Sequence, residues 1–164
     1  MNRPSEVCDL AEAPLRYVVA CQPVHDRLRE AATQLGGLSL MTMLRRDGGF
    51  DLETPLRMAS ETVAEAGEAL GGLAVPDAAA HHFHHMTAAA RALNGVVGRM
   101  GAGGAARSSD AARRDISAGL RAAADHLRFA ANAMPGFETV DLKHACCAAH
   151  AAAVLAAEPV ELKF

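Results

Sequence analysis

Apolar residues recur every third or fourth position through most of this 164-residue chain, the spacing that places side chains on one face of a helix. The pattern is interrupted by Gly48-Gly49, Gly71-Gly72, Gly101 to Gly104 and Pro135-Gly136. Glycine and proline in such positions typically separate helices, so the pattern predicts five helical segments. We expect an all-α, single-domain antiparallel helical bundle of four long helices plus one additional helix.

The limits of the bundle are predicted from where the helical pattern begins and ends. Residues 1–12 are expected to form a flexible N-terminal arm, and residues 13–157 the bundle. Pro159 lies where the pattern stops, so residues 158–164 are expected to form an extended C-terminal tail. Within the first helix, Pro23 is a candidate for a kink and Gly36-Gly37 for a break.

Each predicted helix has one apolar face that is expected to point into the core. On the third helix, Gly95, Gly98 and Gly101 are expected to mark close packing against a neighbour, because glycine otherwise disfavours helix. The inward residues of the first four helices are Tyr17, Cys21, Val24, Leu28, Ala31, Ala32 and Leu35; Leu52, Leu56, Ala59, Val63, Ala66 and Leu70; Phe83, Met86, Leu93, Val96, Val97 and Met100; and Ile116, Leu120, Ala123, Leu127, Ala131 and Met134.

Composition supports the helical interpretation and narrows the function. Hydrophobic residues make up 51% of the chain and aromatic residues only 4%, and alanine, the best helix former, supplies much of the apolar content. A net charge of −3 without a clustered basic face argues against nucleic-acid binding. The sequence lacks the pattern of a signal peptide or a membrane span. We therefore expect a cytoplasmic protein without nucleic-acid or membrane partners.

The densest group of potential metal ligands opens the predicted third helix, where four of the chain's eight histidines fall within six residues. With about 100° of rotation per residue, His82, His85 and Met86 share the inward part of the helix. His81 and His84 are predicted to face solvent. Imidazole is the commonest protein ligand of transition metals, so this spacing is compatible with a metal site.

Other candidate ligands lie on the predicted first and fifth helices. His144 and Cys147 share the inward side of the fifth helix, whereas His126 is predicted on the surface of the fourth. Imidazole and thiolate suit zinc, copper, nickel or haem iron, and bundles usually build such sites in the core from facing helices. The expected metal ligands are His82, His85, His144, Cys147, His25 and Cys21, with Met86 as a cofactor contact, in a protein with a sensing, storage or redox role.

The sequence is also compatible with functions other than metal or haem binding, and it disfavours some of them. Glu61, Glu65 and Glu68 share the outer face of the second helix, and no Glu-x-x-His motif occurs, which disfavours a ferritin-like di-iron site. No catalytic signature is present, so an enzyme is the less favoured class. The alternative is a non-enzymatic interaction or small-molecule-binding bundle whose histidines are not ligands, with Met41 and Met58 in an adaptable surface. In either case we expect a homo-oligomer.

Overall fold

All regular structure in the described part of the chain is helical, which confirms the all-α bundle. No helix in this part is both long enough and apolar enough to cross a membrane. The predicted fifth helix and tail lie outside the described residues. The computed structural model describes residues 4–44, 51–102 and 109–137, which form α1 (Pro4–Leu44), α2 (Glu53–Gly71), a short 3-10 turn (Asp77–Ala79), α3 (Ala80–Gly101) and α4 (Asp110–Ala133).

Helix α1 is longer and more continuous than the sequence pattern predicts. It begins at Pro4, inside the segment assigned to an arm, and continues through Pro14, Pro23 and Gly36-Gly37 without the expected break. A proline removes one backbone hydrogen bond from a helix. Because α1 buries side chains before and after Pro23, including Cys21 and Leu28, packing of this face offsets the lost bond.

The predicted apolar faces of the four helices meet in one core. Leu28, Leu35, Val63 and Leu93 are fully buried, and the glutamates of α2 lie on the exposed face as predicted. Most of the other predicted inward residues are also buried. The exceptions are half-buried at the edge of the core: Ala32, Leu56, Phe83, Val97 and Leu120.

The glycine at which two helices approach most closely is Gly119 of α4, a position that the apolar pattern does not indicate. A Cβ atom at Gly119 would lie 2.7 Å from Cγ2 of Val96 on α3, a distance that only glycine accommodates without movement of its neighbour. Among the described residues the expectation for α3 is wrong: no atom lies within 4 Å of a Cβ added at Gly98 or Gly101, and Gly95 meets only a side chain of its own helix.

Local features define both ends of α4, and the C-terminal end leads into the candidate site. Ser109 caps its N-terminus, where the side-chain oxygen accepts a hydrogen bond from the backbone N–H of Ala112 at 3.1 Å. After the helix ends, Gly136 adopts a φ of +95°, a left-handed conformation that favours glycine. This turn brings Phe137, which is only 3% exposed, back into the core.

Candidate functional site

A hydrogen bond between two buried side chains joins α1 to α3. The hydroxyl oxygen of Tyr17 lies 2.8 Å from Nδ1 of His82, and the two rings meet edge to face with centroids 5.6 Å apart. The Cys21 thiol, one turn further along α1, interacts with the same phenol. Cys21, Tyr17 and His82 thus form a connected row of polar groups in the core, with the His82 imidazole at one end.

Phe137 lies between two buried histidines from different helices. Its ring centroid is 4.2 Å from that of His82 on α3 and 5.4 Å from that of His25 on α1. The histidines are only 1% and 2% exposed. Within the described ranges, Nε2 of each ring is buried and has no hydrogen-bond partner. Buried polar atoms are normally paired, so these two nitrogens are an exception that needs an explanation.

The environment keeps both imidazoles neutral at pH 7. Burial lowers the pKa of His82 to about 4, and the nearby His25 and His85 act in the same direction. Burial also lowers the pKa of His25, assisted by Arg29 and opposed by Asp26 and by a hydrogen-bond interaction with the backbone of Leu127. Neutral imidazole is the form that binds metals, because its second nitrogen carries a free lone pair.

Tyr17 and Cys21, the other two members of the buried hydrogen-bonded group, are also uncharged at pH 7. Burial is the main cause that raises the pKa of the Tyr17 hydroxyl, with Cys21 adding to the effect. Burial likewise raises the pKa of the Cys21 thiol, although its hydrogen bond with Tyr17 opposes the shift. A buried, protonated thiol is a poor nucleophile, so Cys21 is not activated for nucleophilic chemistry.

A groove between α1 and α4 extends from His25 to the surface. Its volume is about 530 Å³. Its lining carries both signs of charge, from Arg29 and Arg128 and from Asp26 and Glu30, together with apolar surface from Leu127. His25 borders this groove, although its ring is buried.

His85 belongs to a different group of side chains from His82. Its Nδ1 lies 3.0 Å from Nδ1 of His126 on α4, in a half-buried position at the surface. His126 was expected on the surface because it lies far from the apolar stripe of α4, yet it is half-buried against α3. His81 and His84 are exposed, as predicted, and their rings adjoin that of His85.

The predicted ligands are therefore only partly brought together. Cys21, His25 and His82 lie in one region of the core, Met86 is buried in the same core, and His85 is paired separately. His144 and Cys147 lie outside the described residues. In the part of the chain that the structure describes, no three or more His, Cys, Asp or Glu side chains form a group that could hold a metal ion.

Two residues next to the histidines were not identified as part of a site from the sequence. Tyr17 was expected in the core, but its hydrogen bond to His82 depends on how α1 and α3 pair. Phe137 follows the Pro135-Gly136 turn, which signals the end of a helix but not the burial of the next residue. The one available signal in the sequence was that Tyr17 is the only tyrosine of the chain.

The fold and site thus define an all-α helical bundle with a polar, histidine-containing region in its core. Comparison with known proteins adds no family to this description. No protein-family description matches the chain, and no curated protein or solved structure matches it either.

Proposed function

We propose that this protein binds a transition metal, as a free ion or as haem iron, through the buried imidazoles of His25 and His82. The observation that carries the proposal is the pair of neutral imidazoles beside Phe137, each with an Nε2 atom that has no hydrogen-bond partner among the described residues. An unsatisfied buried polar group costs about 1 to 3 kcal/mol. A metal bound to both nitrogens would offset that cost.

The contact with Tyr17 supports a ligand role for His82. If Nδ1–H of His82 donates to the hydroxyl oxygen of Tyr17, the tyrosine hydroxyl is free to donate to the Cys21 sulfur. This arrangement leaves the lone pair on Nε2 of His82 available. Metal-binding histidines commonly donate their second N–H in the same way, which orients the ring and increases its basicity.

A bound metal in this region requires Phe137 to move, because its ring lies against both imidazoles. A haem iron would be held by the two histidines, and of the charged residues in the α1/α4 groove Arg29 and Arg128 would attract its carboxylates while Asp26 and Glu30 would repel them. A free zinc, copper or nickel ion needs further ligands. His144 and Cys147, which follow Phe137 in the sequence, are our candidates for them.

The first test is elemental analysis and a visible absorption spectrum of the full chain, purified without a histidine tag or added metal. Metal in stoichiometric amount, or a haem band, is the expected result. If the protein is colourless and metal-free, it should be titrated with zinc, copper, nickel and haem. A melting temperature that none of them changes would overturn the proposal, since a ligand of the native state must stabilise it.

Matched histidine variants then locate the ligands. His82→Ala should abolish uptake at the core site, whereas His84→Ala, which removes an exposed histidine two positions away, should leave that uptake unchanged. His25→Gln provides a second core variant if His82→Ala does not fold, as judged by circular dichroism. Equal uptake by the His82 and His84 variants would show that the core is not the binding site.

A second candidate function is self-association or partner binding, which the exposed apolar residues of α1 favour. Leu15 with Val19, and Leu40 with Leu44, form two pairs spaced i, i+4, and all four side chains are more than half exposed. Such patches often lie at protein interfaces. Sedimentation analysis should show a homo-oligomer that the Leu40→Glu/Leu44→Glu double variant dissociates, while Ala64→Glu on the exposed face of α2 has no effect.

A further inference from the structure

We infer a second, surface-accessible metal site at the α3/α4 interface, formed by Nδ1 of His85 and Nδ1 of His126, with His81 as a third ligand. This site is separate from the proposed core site, because none of its ligands contacts Tyr17, Phe137 or His25 in the ring and hydrogen-bond contacts of the structure, although the charge of His85 acts on His82. The ligand class is a divalent cation that prefers imidazole, namely copper, nickel or zinc.

The distance between the two nitrogens suits adjacent positions on one metal ion. With metal–nitrogen bonds of ~2.0 Å, adjacent ligands lie about 2.8 Å apart in a square-planar ion and about 3.3 Å apart in a tetrahedral one. The two Nδ1 atoms are 3.0 Å apart, between these values. The packing of α3 against α4 therefore places the two nitrogens at a distance compatible with one metal ion, and a rotation of the rings is needed to direct both lone pairs at it.

In the absence of metal the same spacing is explained by a hydrogen bond. One neutral imidazole carries its proton on Nδ1 and donates it to the bare Nδ1 of the other. When a metal binds, the donor ring moves its proton from Nδ1 to Nε2, and both rings rotate so that the two bare Nδ1 lone pairs converge on an ion beside the line that joins them. No net proton is released, and no oxidant or reductant is needed.

His81 supplies a third nitrogen from the same helix as His85. The two residues are spaced i, i+4, the spacing at which two histidines on one helix bind a zinc ion in metalloproteases. Their ring centroids are 4.6 Å apart. The described residues contain no completed group of three ligands, so His81 must change its side-chain rotamer to join the pair. Its exposure leaves it free to rotate.

The ring of His85 is held in place by its neighbours. Phe129 of α4 packs on it, with centroids 5.3 Å apart, and limits its movement. His85 is therefore an oriented ligand, whereas its exposed neighbours are not held in this way.

The test uses the full-length, tag-free protein, stripped with a chelator and titrated with nickel(II) chloride. Calorimetry should show a site that is lost or weakened on the order of tenfold or more in His126→Gln, and that His84→Ala retains. Nickel should also raise the melting temperature of the wild type, and less so that of His126→Gln, because the ion crosslinks α3 to α4. His85→Ala serves as the second variant if His126→Gln does not fold.

Two results would overturn the inference. One is a His126→Gln protein that binds nickel with unchanged affinity and thermal shift. The other is equal weakening by His84→Ala and His126→Gln, which would indicate adventitious binding by a histidine-rich surface. Loss of nickel binding in His82→Ala with full retention in His126→Gln would assign all binding to the core, and would support the proposed function while excluding this site.

Discussion

The hydroxyl of Tyr17 and Nδ1 of His82 lie 2.8 Å apart and are both shielded from solvent, so that one hydrogen bond joins α1 to α3 within the core. Tyr17→Phe removes the hydroxyl with little change in shape and leaves Nδ1 of His82 without a partner. We expect a loss of about 1 to 3 kcal/mol in the free energy of unfolding, measured by urea denaturation.

A double-mutant cycle provides the control for this pair. Replacing both partners by apolar groups of similar shape avoids an unpaired buried atom. Tyr17→Phe/His82→Phe should therefore cost less than the sum of the two single variants. An additive cycle would show that the hydrogen bond contributes no coupling energy.

Acid should destabilise the protein because the buried histidines resist protonation. The pKa of His82 is about 4 in the folded protein, against 6.5 for an unperturbed histidine. Below pH 6.5 the unfolded chain therefore binds a proton that the native state does not. Stability is complete above this pH and is lost as the pH falls towards 4, by about 3 kcal/mol for His82. His25, with its pKa also lowered, adds to the loss.

The measurement is the free energy of unfolding between pH 7 and pH 4. His82→Phe should flatten its dependence on pH, since it removes one of the two resisting groups. His84→Ala, which lacks only an exposed side chain, should keep the wild-type slope. If the His82→Phe profile is as steep as that of the wild type, then His82 is not the group responsible.

Phe137 should act as a barrier to ligands that reach the core histidines. Phe137→Ala leaves a cavity beside both imidazoles and is expected to cost about 3 to 5 kcal/mol in stability. Despite this loss, the variant should bind zinc or haem more tightly and faster than the wild type, because no ring has to be displaced. Calorimetry and stopped-flow absorption would measure the two effects.

Phe137→Leu is the milder variant in case the alanine variant does not fold. It shortens the side chain while retaining most of the buried apolar surface. An affinity that is unchanged or reduced in both variants would contradict the barrier role, and with it the proposed core site.

The positions of buried and exposed faces were largely predictable from the sequence. On α2, Val63 and Ala66 fall on the apolar stripe and are fully buried, because a single helix rotation of about 100° per residue determines which side chains share a face. On α3 the same rule placed His82 inside and His84 outside, as the structure has them.

The partners across helices were not predictable in this way. The apolar periodicity of α4 predicts on which side of that helix His126 lies. It does not predict which residue of α3 packs against His126. His85 and His126 meet because of the register between the two helices. The burial of Phe137 likewise depends on the turn at Gly136, whose direction the sequence pattern does not encode.

Gly119 should be required for the close approach of α4 to α3. A Cβ atom there would lie 2.7 Å from Cγ2 of Val96 and 3.7 Å from the carbonyl oxygen of Ala92. Gly119→Ala should therefore destabilise the protein by about 1 to 3 kcal/mol, since the packed Val96 side chain or the helix itself must shift.

Gly98 of α3 is the matched control, because it is exposed and no atom lies within 4 Å of a Cβ added there. Gly98→Ala should stabilise the protein by up to about 1 kcal/mol, since alanine is the better helix former. The two variants thus shift the melting temperature in opposite directions, although the substitution is the same.

Val96→Ala should relieve the clash, so Val96→Ala/Gly119→Ala should be more stable than the sum of the single effects predicts. A stabilising Gly119→Ala would mean that α3 and α4 do not pack this closely at Val96.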